Sequence, residues 1–518
     1  MVRKILLIIG ALLIVLIGFV MALSISKTRD IPDIQITSDK KPIILIAVDS
    51  LMSDPLKKVI AQGKAPAFKY LIENGELIPN IVSSYPTMSV TIDSSLLTGT
   101  FAGEHNIPGL IWFNEDANRI VSYGSGPGEI WNTGVRNVVQ DSVIRLNNEH
   151  LNSETTTIYE DLAKRSIQSA SINGVIYRGR DEHKLNVPAL ISTMALLPKD
   201  VKVKGPDILS FGVLSQLSPN NNFQKFAWDK MGVSNDFTIN EFKFLLKQNQ
   251  LPPFTLAYFP DADARIHSKG PDNLKAIEKL DESLQEMLNS FPTWEEAIEK
   301  VTWIIVGDSG QSYVKKDKDK SLIDLNKLLS KYSFWERDNK NGQIAIAVNE
   351  RMANIYLKDE QIDYREVVNI LKQDERIGFI SWKEGTQNVV TAPHKEEMVF
   401  SSNGSLKDEY NQNWDIKGDT SILDLSVQNG KIQYNDYPDA LARLNGALHS
   451  HKGRYIIVDA LPNYEFIENH SYDHAGGGAH GSLHKVDSLV PLIITGTDSK
   501  PNSLRIVDIK EWILQLLK

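Results

Sequence analysis

The sequence predicts an α/β fold: a mainly parallel sheet with helices on both faces, carrying an inserted α+β cap and preceded by one transmembrane helix. Three observations point there. Near-continuous apolar runs recur, each reaching an acid: "IILIAVDSL" (43–51), "FTLAYFPDAD" (254–263), "VTWIIVGDSG" (301–310) and "LVPLIITGTD" (489–498). Strands buried on both faces read this way, as sheet interiors covered by helices do. Between them lie stretches of helical periodicity, such as "PAFKYLIENG" and "NLKAIEKLDESLQEMLNSF". Strands alternating with helices give a parallel sheet. The third observation is the N-terminus, where Ile5 to Ile25 carry no charge.

Taken in order, residues 1–4 ("MVRK") form a short basic N-terminus, expected on the cytoplasmic side. Residues 5–25 are expected to span a membrane, since their length as a helix is roughly 31 Å. A cleaved signal peptide ending near Ala22-Leu23-Ser24 is the competing reading. Residues 26–40, "SKTRDIPDIQITSDK", are polar without a helical stripe and read as a linker. Residues 41–320 and 445–518 form the core. Residues 321–444 break its pattern: "GQIAIAVN", "MANIYLKD", "DYREVVNILKQ" and "IGFISW" give β-β-α-β, and "NWDIKGDTSILDLSVQNGKIQY" adds strands and turns. This stretch is the expected cap.

Composition narrows the function. A net charge of −9 argues against coating nucleic acid, which rests on clustered Lys and Arg. It leaves room for a small phosphorylated substrate met by local positive charge. The chain contains no cysteine, so thiol catalysis, thiolate metal sites and disulfides are excluded. A metal would have to be held by Asp, Glu, His or hydroxyl groups. No protein partner can be inferred.

In open α/β sheets ligands bind beyond the carboxyl ends of the strands, where Asp49, Asp263 and Asp308 fall. Three further stretches add chemistry. In "YPTMSVTIDSSLLTGTF" (85–101) a helix is expected to begin near Thr87 or Ser89 and to run to Gly99. A hydroxyl there would meet the unpaired N–H groups and positive dipole of the helix start. In "PDADARIHSKGP" (260–271) Asp263 and His267 are four apart and able to share an ion, with Asp261 a competing ligand. In "HAGGGAHGSLH" (474–484) three glycines allow the tight turn that would bring His480 in, and His474 and His484 flank it.

Together these motifs resemble the alkaline phosphatase superfamily, most closely its type I phosphodiesterase/nucleotide pyrophosphatase branch. Tyr85, Pro86, Thr87, Ser89, Thr98 and Gly99 match its nucleophile segment; Asp263, His267, Gly270 and Pro271 match its "D-x-x-x-H-x-x-GP" element. Asp308 and Gly310 match "D-H-G", and His480 and Gly481 match "HG". The resemblance implies a phosphoesterase with Ser89 as nucleophile and a phosphoseryl intermediate. It implies two divalent ions, zinc first and manganese as the alternative: one held by Asp263, His267 and His480, the other by Asp49, Asp308 and Ser89. The expected substrate is a nucleotide or a lipid-linked phosphodiester, and the uncharged N-terminal run gives the expectation of an anchored, extracytoplasmic domain in the cell membrane.

Two positions depart from the family. Ser309 stands where a histidine ligand is usual, and Ile92 where the phosphodiesterase branch places an asparagine. Asp93, one helical turn past Ser89, is the candidate supporting carboxylate, with His474, His484 and Ser309 as substitutes. No Arg follows Ser89 to grip a monoester, and Val90 is expected as an apolar wall for a base or alkyl group. The alternatives left open are a catalytically weak or inactive member serving as a binding ectodomain, and a phosphoryl-alkyl transferase.

Overall fold

The computed structural model describes residues 40–124, 132–219 and 232–518, together with residues 36, 130 and 221. The expected membrane segment, residues 5–25, lies outside them. Among the described residues no helix is long and apolar enough to cross a membrane.

Among the described residues seven strands form the core sheet, in the order Gly75–Val82, Leu489–Thr495, Thr302–Gly307, Ile43–Val48, Phe254–Phe259, Ser169–Ile172 and Ile208–Ser210. The four central apolar runs of the sequence are thus adjacent strands. Leu489–Thr495 runs antiparallel to both neighbours, so the sheet is mixed, with one reversed strand in a mainly parallel array. The central strands are buried throughout. Alternate residues feed two cores: Ile43, Leu45 and Ala47 face one, Ile44, Ile46 and Val48 the other. Burying each of the larger of these side chains contributes about 1.5–3 kcal/mol.

Helices cover both faces, as the unbroken apolar strands require. Ser53–Ala61, Pro66–Glu73, Asn235–Lys247 and Leu274–Leu288 pack on the Val48 face; Ser89–Thr98 and Ile509–Leu516 pack on the other.

The insertion builds a second sheet. Its first pieces follow the expected β-β-α-β order: Ile344–Asn349, Met352–Leu357, the helix Tyr364–Leu371, then Ile377–Glu384. Among the described residues nine strands take part, and Tyr455–Ala460 lies between Met352–Leu357 and Ile377–Glu384. The second sheet therefore draws in residues past 444, the boundary expected from sequence. "YIIVDA" is as apolar as a core strand, and nothing local distinguishes which sheet it joins.

Register brings the acids together. Val48 pairs with Gly307 on one side and with Phe259 on the other. Asp49, Asp308 and the 260–263 segment therefore leave the sheet at one level, at its carboxyl edge.

Candidate metal and nucleophile site

Ser89 opens a ten-residue helix whose N-cap is Met88. Neither Thr87 nor Ser89 caps it through its side chain. Thr87 is instead tied to the glycine-rich segment: its Oγ1 accepts from the Gly481 N–H at 2.7 Å, and its carbonyl accepts from His480 Nδ1. The Ser89 hydroxyl donates to Asp49 Oδ1 at 3.0 Å, while the Tyr258 hydroxyl donates to Asp49 Oδ2 at 2.8 Å. Tyr258 was not foreseen from sequence, because its strand "FTLAYF" reads as uniform core.

Asp308 is fixed by one oxygen. Its Oδ1 accepts from the Ser50 N–H at 2.8 Å and from the Ser309 N–H, while Oδ2 is buried with no hydrogen-bond partner. Asp93 Oδ1 and Ser309 Oγ are likewise buried and unpartnered. A buried polar atom left this way costs about 1–3 kcal/mol. Burial, then the charges of Asp308 and Asp263, hold the Asp49 carboxyl well above the usual carboxylate range; burial and Asp308 do the same to Asp93. The charges acting on Asp49 and Asp93 are thus those of other acids. Carboxylates and hydroxyls converging with spare lone pairs fit a bound divalent ion.

A second group lies alongside. On the helix Asp261–Lys269, Asp263 and His267 share one face, with Asp263 Oδ1 3.0 Å from His267 Nε2 and 3.8 Å from His480 Nε2. Each imidazole is oriented from behind: His267 Nδ1 donates to the Gly478 carbonyl at 2.8 Å and His480 Nδ1 to that of Thr87, leaving both Nε2 atoms for the centre. Burial works against ionising Asp263 and His267, but each favours the other's charged form. His267 and His480 keep Asp263 below its ordinary range, and Asp263 and Glu350 carry His267 up to about 10. The three offer ligand atoms within 4.8 Å of one another, a reach and chemistry suited to zinc or manganese. Ser50 Oγ and Gln311 Nε2 each donate to Asp263 Oδ1 at 2.8 Å, so this second group is tied to the segments after the first and third apolar runs.

The glycine run has a steric cause. A Cβ on Gly477 would lie 1.8 Å from the His267 carbonyl oxygen, so only glycine lets this segment reach the helix that carries His267. His474 is brought beside the second group, its ring centroid 4.4 Å from that of His267 and its Nδ1 2.6 Å from Glu465. It does not stand in for Ser309 beside Asp308.

Two candidates fall elsewhere. Asp261 accepts the Asn235 N–H at 3.0 Å, at the opposite side of its helix start from Asp263. His484 caps the short helix Lys485–Ser488 and packs on Tyr437. Ile92 and Val90 are buried in the core, so Val90 is no wall of the site. The apolar side of the cleft is formed by Met88, Leu110, Ile111 and Val348, facing Asp263, His267, Glu350 and His474, with Tyr472 at the mouth. Glu350 was missed: it comes from the hairpin between the first two strands of the second sheet, where sequence gives no mark of a ligand.

Comparison with known proteins bears on the family and the fold. Residues 43–483 match the family model for type I phosphodiesterase/nucleotide pyrophosphatase. A comparison with curated protein sequences gives no significant match. Among solved structures, murine ectonucleotide pyrophosphatase/phosphodiesterase 5 is similar, with a TM-score of 0.56 at 14% identity over 92% of this chain and 95% of that one. An inactive variant of that protein in complex with AMP gives 0.57 at 15%, covering 92% and 95%. The human protein gives 0.54 at 15%, covering 92% and 94%. These likenesses bear on the fold.

Proposed function

Since the chain belongs to the type I phosphodiesterase/nucleotide pyrophosphatase family, we propose that it is a metal-dependent phosphodiester hydrolase in which Ser89 is the nucleophile. The observation that carries this is the Ser89 hydroxyl on Asp49, at the edge where Asp308 and the Asp263–His267–His480 group converge. Asp263, His267 and His480 would hold one divalent ion; Asp49, Asp308 and Ser89 would hold another, with Ser309 and Asp93 beside it. Such ions supply charge that stabilises the phosphoryl oxygens and lowers the pKa of an attacking hydroxyl.

The chain's own residues do the rest. Asp49 takes the hydroxyl hydrogen of Ser89 and so turns an oxygen lone pair towards the cleft. The Ser89 Oγ–P bond would form as the hydroxyl proton passes to Asp49 Oδ1 and the ester P–O bond opposite breaks, its electron pair leaving with the alcohol oxygen, which takes a proton from solvent. Water then cleaves the phosphoseryl ester, returning the Ser89 hydroxyl and releasing the phosphate monoester. Tyr258 fixes the second oxygen of Asp49, so that the carboxylate keeps its aim.

The substrate we propose is a nucleotide or nucleotide-like diester. The support is the apolar side of the cleft, the 61% exposed ring of Tyr472 at its mouth, and the relative seen with AMP. The uncharged run 5–25 supports an anchor that holds the domain outside the cytoplasm. A second reading, a weak or inactive binding ectodomain, draws on Ser309 in a histidine position and on Ile92 buried in the core.

Hydrolysis of bis-p-nitrophenyl phosphate by zinc-loaded protein separates the two readings. Turnover that falls at least 100-fold in Ser89→Ala supports the enzyme. Turnover indifferent to that change, or none in the parent protein, supports the binding ectodomain.

A further inference from the structure

Glu350 sits in the two-residue turn between Ile344–Asn349 and Met352–Leu357, whose register pairs Asn349 with Met352. Its φ is +58°, a conformation that turns usually reserve for glycine, asparagine or aspartate. The turn is nonetheless held firmly. Arg351, fully buried, is ion-paired with Asp487 and donates to the Ala460 carbonyl at 3.0 Å; its N–H donates to the His480 carbonyl at 2.9 Å.

The Glu350 carboxylate is aimed. Oε2 accepts the His480 backbone N–H at 2.9 Å, which leaves Oε1 facing the imidazoles. Oε1 lies 3.7 Å from His267 Nε2 and 3.9 Å from His480 Nε2. Those separations match the 3.8 Å between Asp263 and His480. Donors at about 2.0–2.1 Å from one tetrahedral ion lie roughly 3.3 Å apart, so an inward shift of a few tenths of an ångström per donor would bring Glu350 onto an ion shared with both histidines. One ion is meant, because His267 Nδ1 is committed to the Gly478 carbonyl and only Nε2 remains.

We infer that Glu350 is a protein ligand of the ion held by Asp263, His267 and His480, supplied by the inserted sheet and not by the core. The inference rests on the reading that this group binds a metal. Its consequence is mechanical as well as chemical: metal binding clamps the cap hairpin to the catalytic edge, and the ion has four protein donors where three would leave a position open.

The test is a zinc competition titration of the full chain against a chromophoric chelator, with melting curves of the metal-free and zinc-loaded forms. Glu350→Gln keeps the size and the acceptor for the His480 N–H. Glu350→Gly suits the turn and guards against a folding defect in the first variant. Both variants are expected to lose on the order of 10- to 100-fold in affinity for the tighter zinc and a matching part of the zinc-induced rise in melting temperature. The inference is overturned if both bind zinc as the parent does while His267→Ala does not. If the parent itself binds no zinc, the metal-site reading fails along with it.

Discussion

Replacing Gly481 with alanine tests how the cap and the catalytic edge are joined. Gly481 has φ +108°, and a Cβ there would stand 2.3 Å from the Asn349 carbonyl oxygen. Contact below 3.0 Å is not tolerated between such atoms, so the hairpin or the His480 segment must retreat by roughly 0.7 Å or more. Glu350 follows Asn349 and His480 precedes Gly481, so the retreat widens the 3.9 Å gap between their ligand atoms and draws Glu350 out of range of a shared ion. Backbone strain of about 1–3 kcal/mol adds to overpacking of similar size, a total of several kcal/mol. Gly481→Ala is expected to lower the melting temperature by several degrees and to weaken the tighter zinc by at least tenfold, measured by thermal unfolding and chelator competition. Parental melting and parental zinc affinity together would mean that the Gly481 approach to Asn349 does not hold the hairpin and the His480 segment in place.

Other expectations concern separate parts of the molecule. Ser309→His should tighten the weaker ion about tenfold or more in a zinc titration, because an imidazole replaces an unpartnered hydroxyl beside Asp308; a flat titration means Ser309 does not stand at a ligand position. Tyr472→Ala should raise KM for a nucleotide diester, with little change in kcat, by the roughly 5- to 150-fold that loss of one stacked base implies; an unchanged KM removes Tyr472 from the substrate site. Burial pushes the His105 imidazole down to about 3, and its Nε2 is bonded to Ser95 Oγ. The folded pKa lies below the unfolded value of about 6.5, so this contribution to stability is whole above pH 6.5 and is lost as pH falls towards 3. That amounts to about 3 kcal/mol at pH 4, and His105→Gln should flatten the acid limb of a stability profile; an unaltered limb refutes it.

Much of the fold was legible because burial on both faces writes itself into the strands. "IILIAV", "FTLAYF" and "TWIIVG" are apolar at every position, and their registers follow once they are adjacent. Asp49, Asp263, Asp308 and His480 were legible because each falls just past a strand or in a glycine-marked turn, and His267 because it stands one helical turn past Asp263. What sequence could not give depends on contacts between distant segments. Glu350 lies in "VNERM", an ordinary hairpin turn until the second sheet carries it to His480. Tyr258 hides its hydroxyl in an apolar run. Asp261 and Asp263 are two apart, and only the helix start decides which faces the edge and which caps towards Asn235. The strand "YIIVDA" could join either sheet, and pairing with Met352–Leu357 decides it.

Crystals of the zinc-loaded protein, measured at the zinc absorption edge, test most directly whether cations flank Ser89. One anomalous peak is expected among Asp263, His267, His480 and Glu350, and a weaker one between Asp49, Asp308 and the Ser89 hydroxyl. Zinc bound elsewhere, with no peak near Ser89, would contradict that expectation.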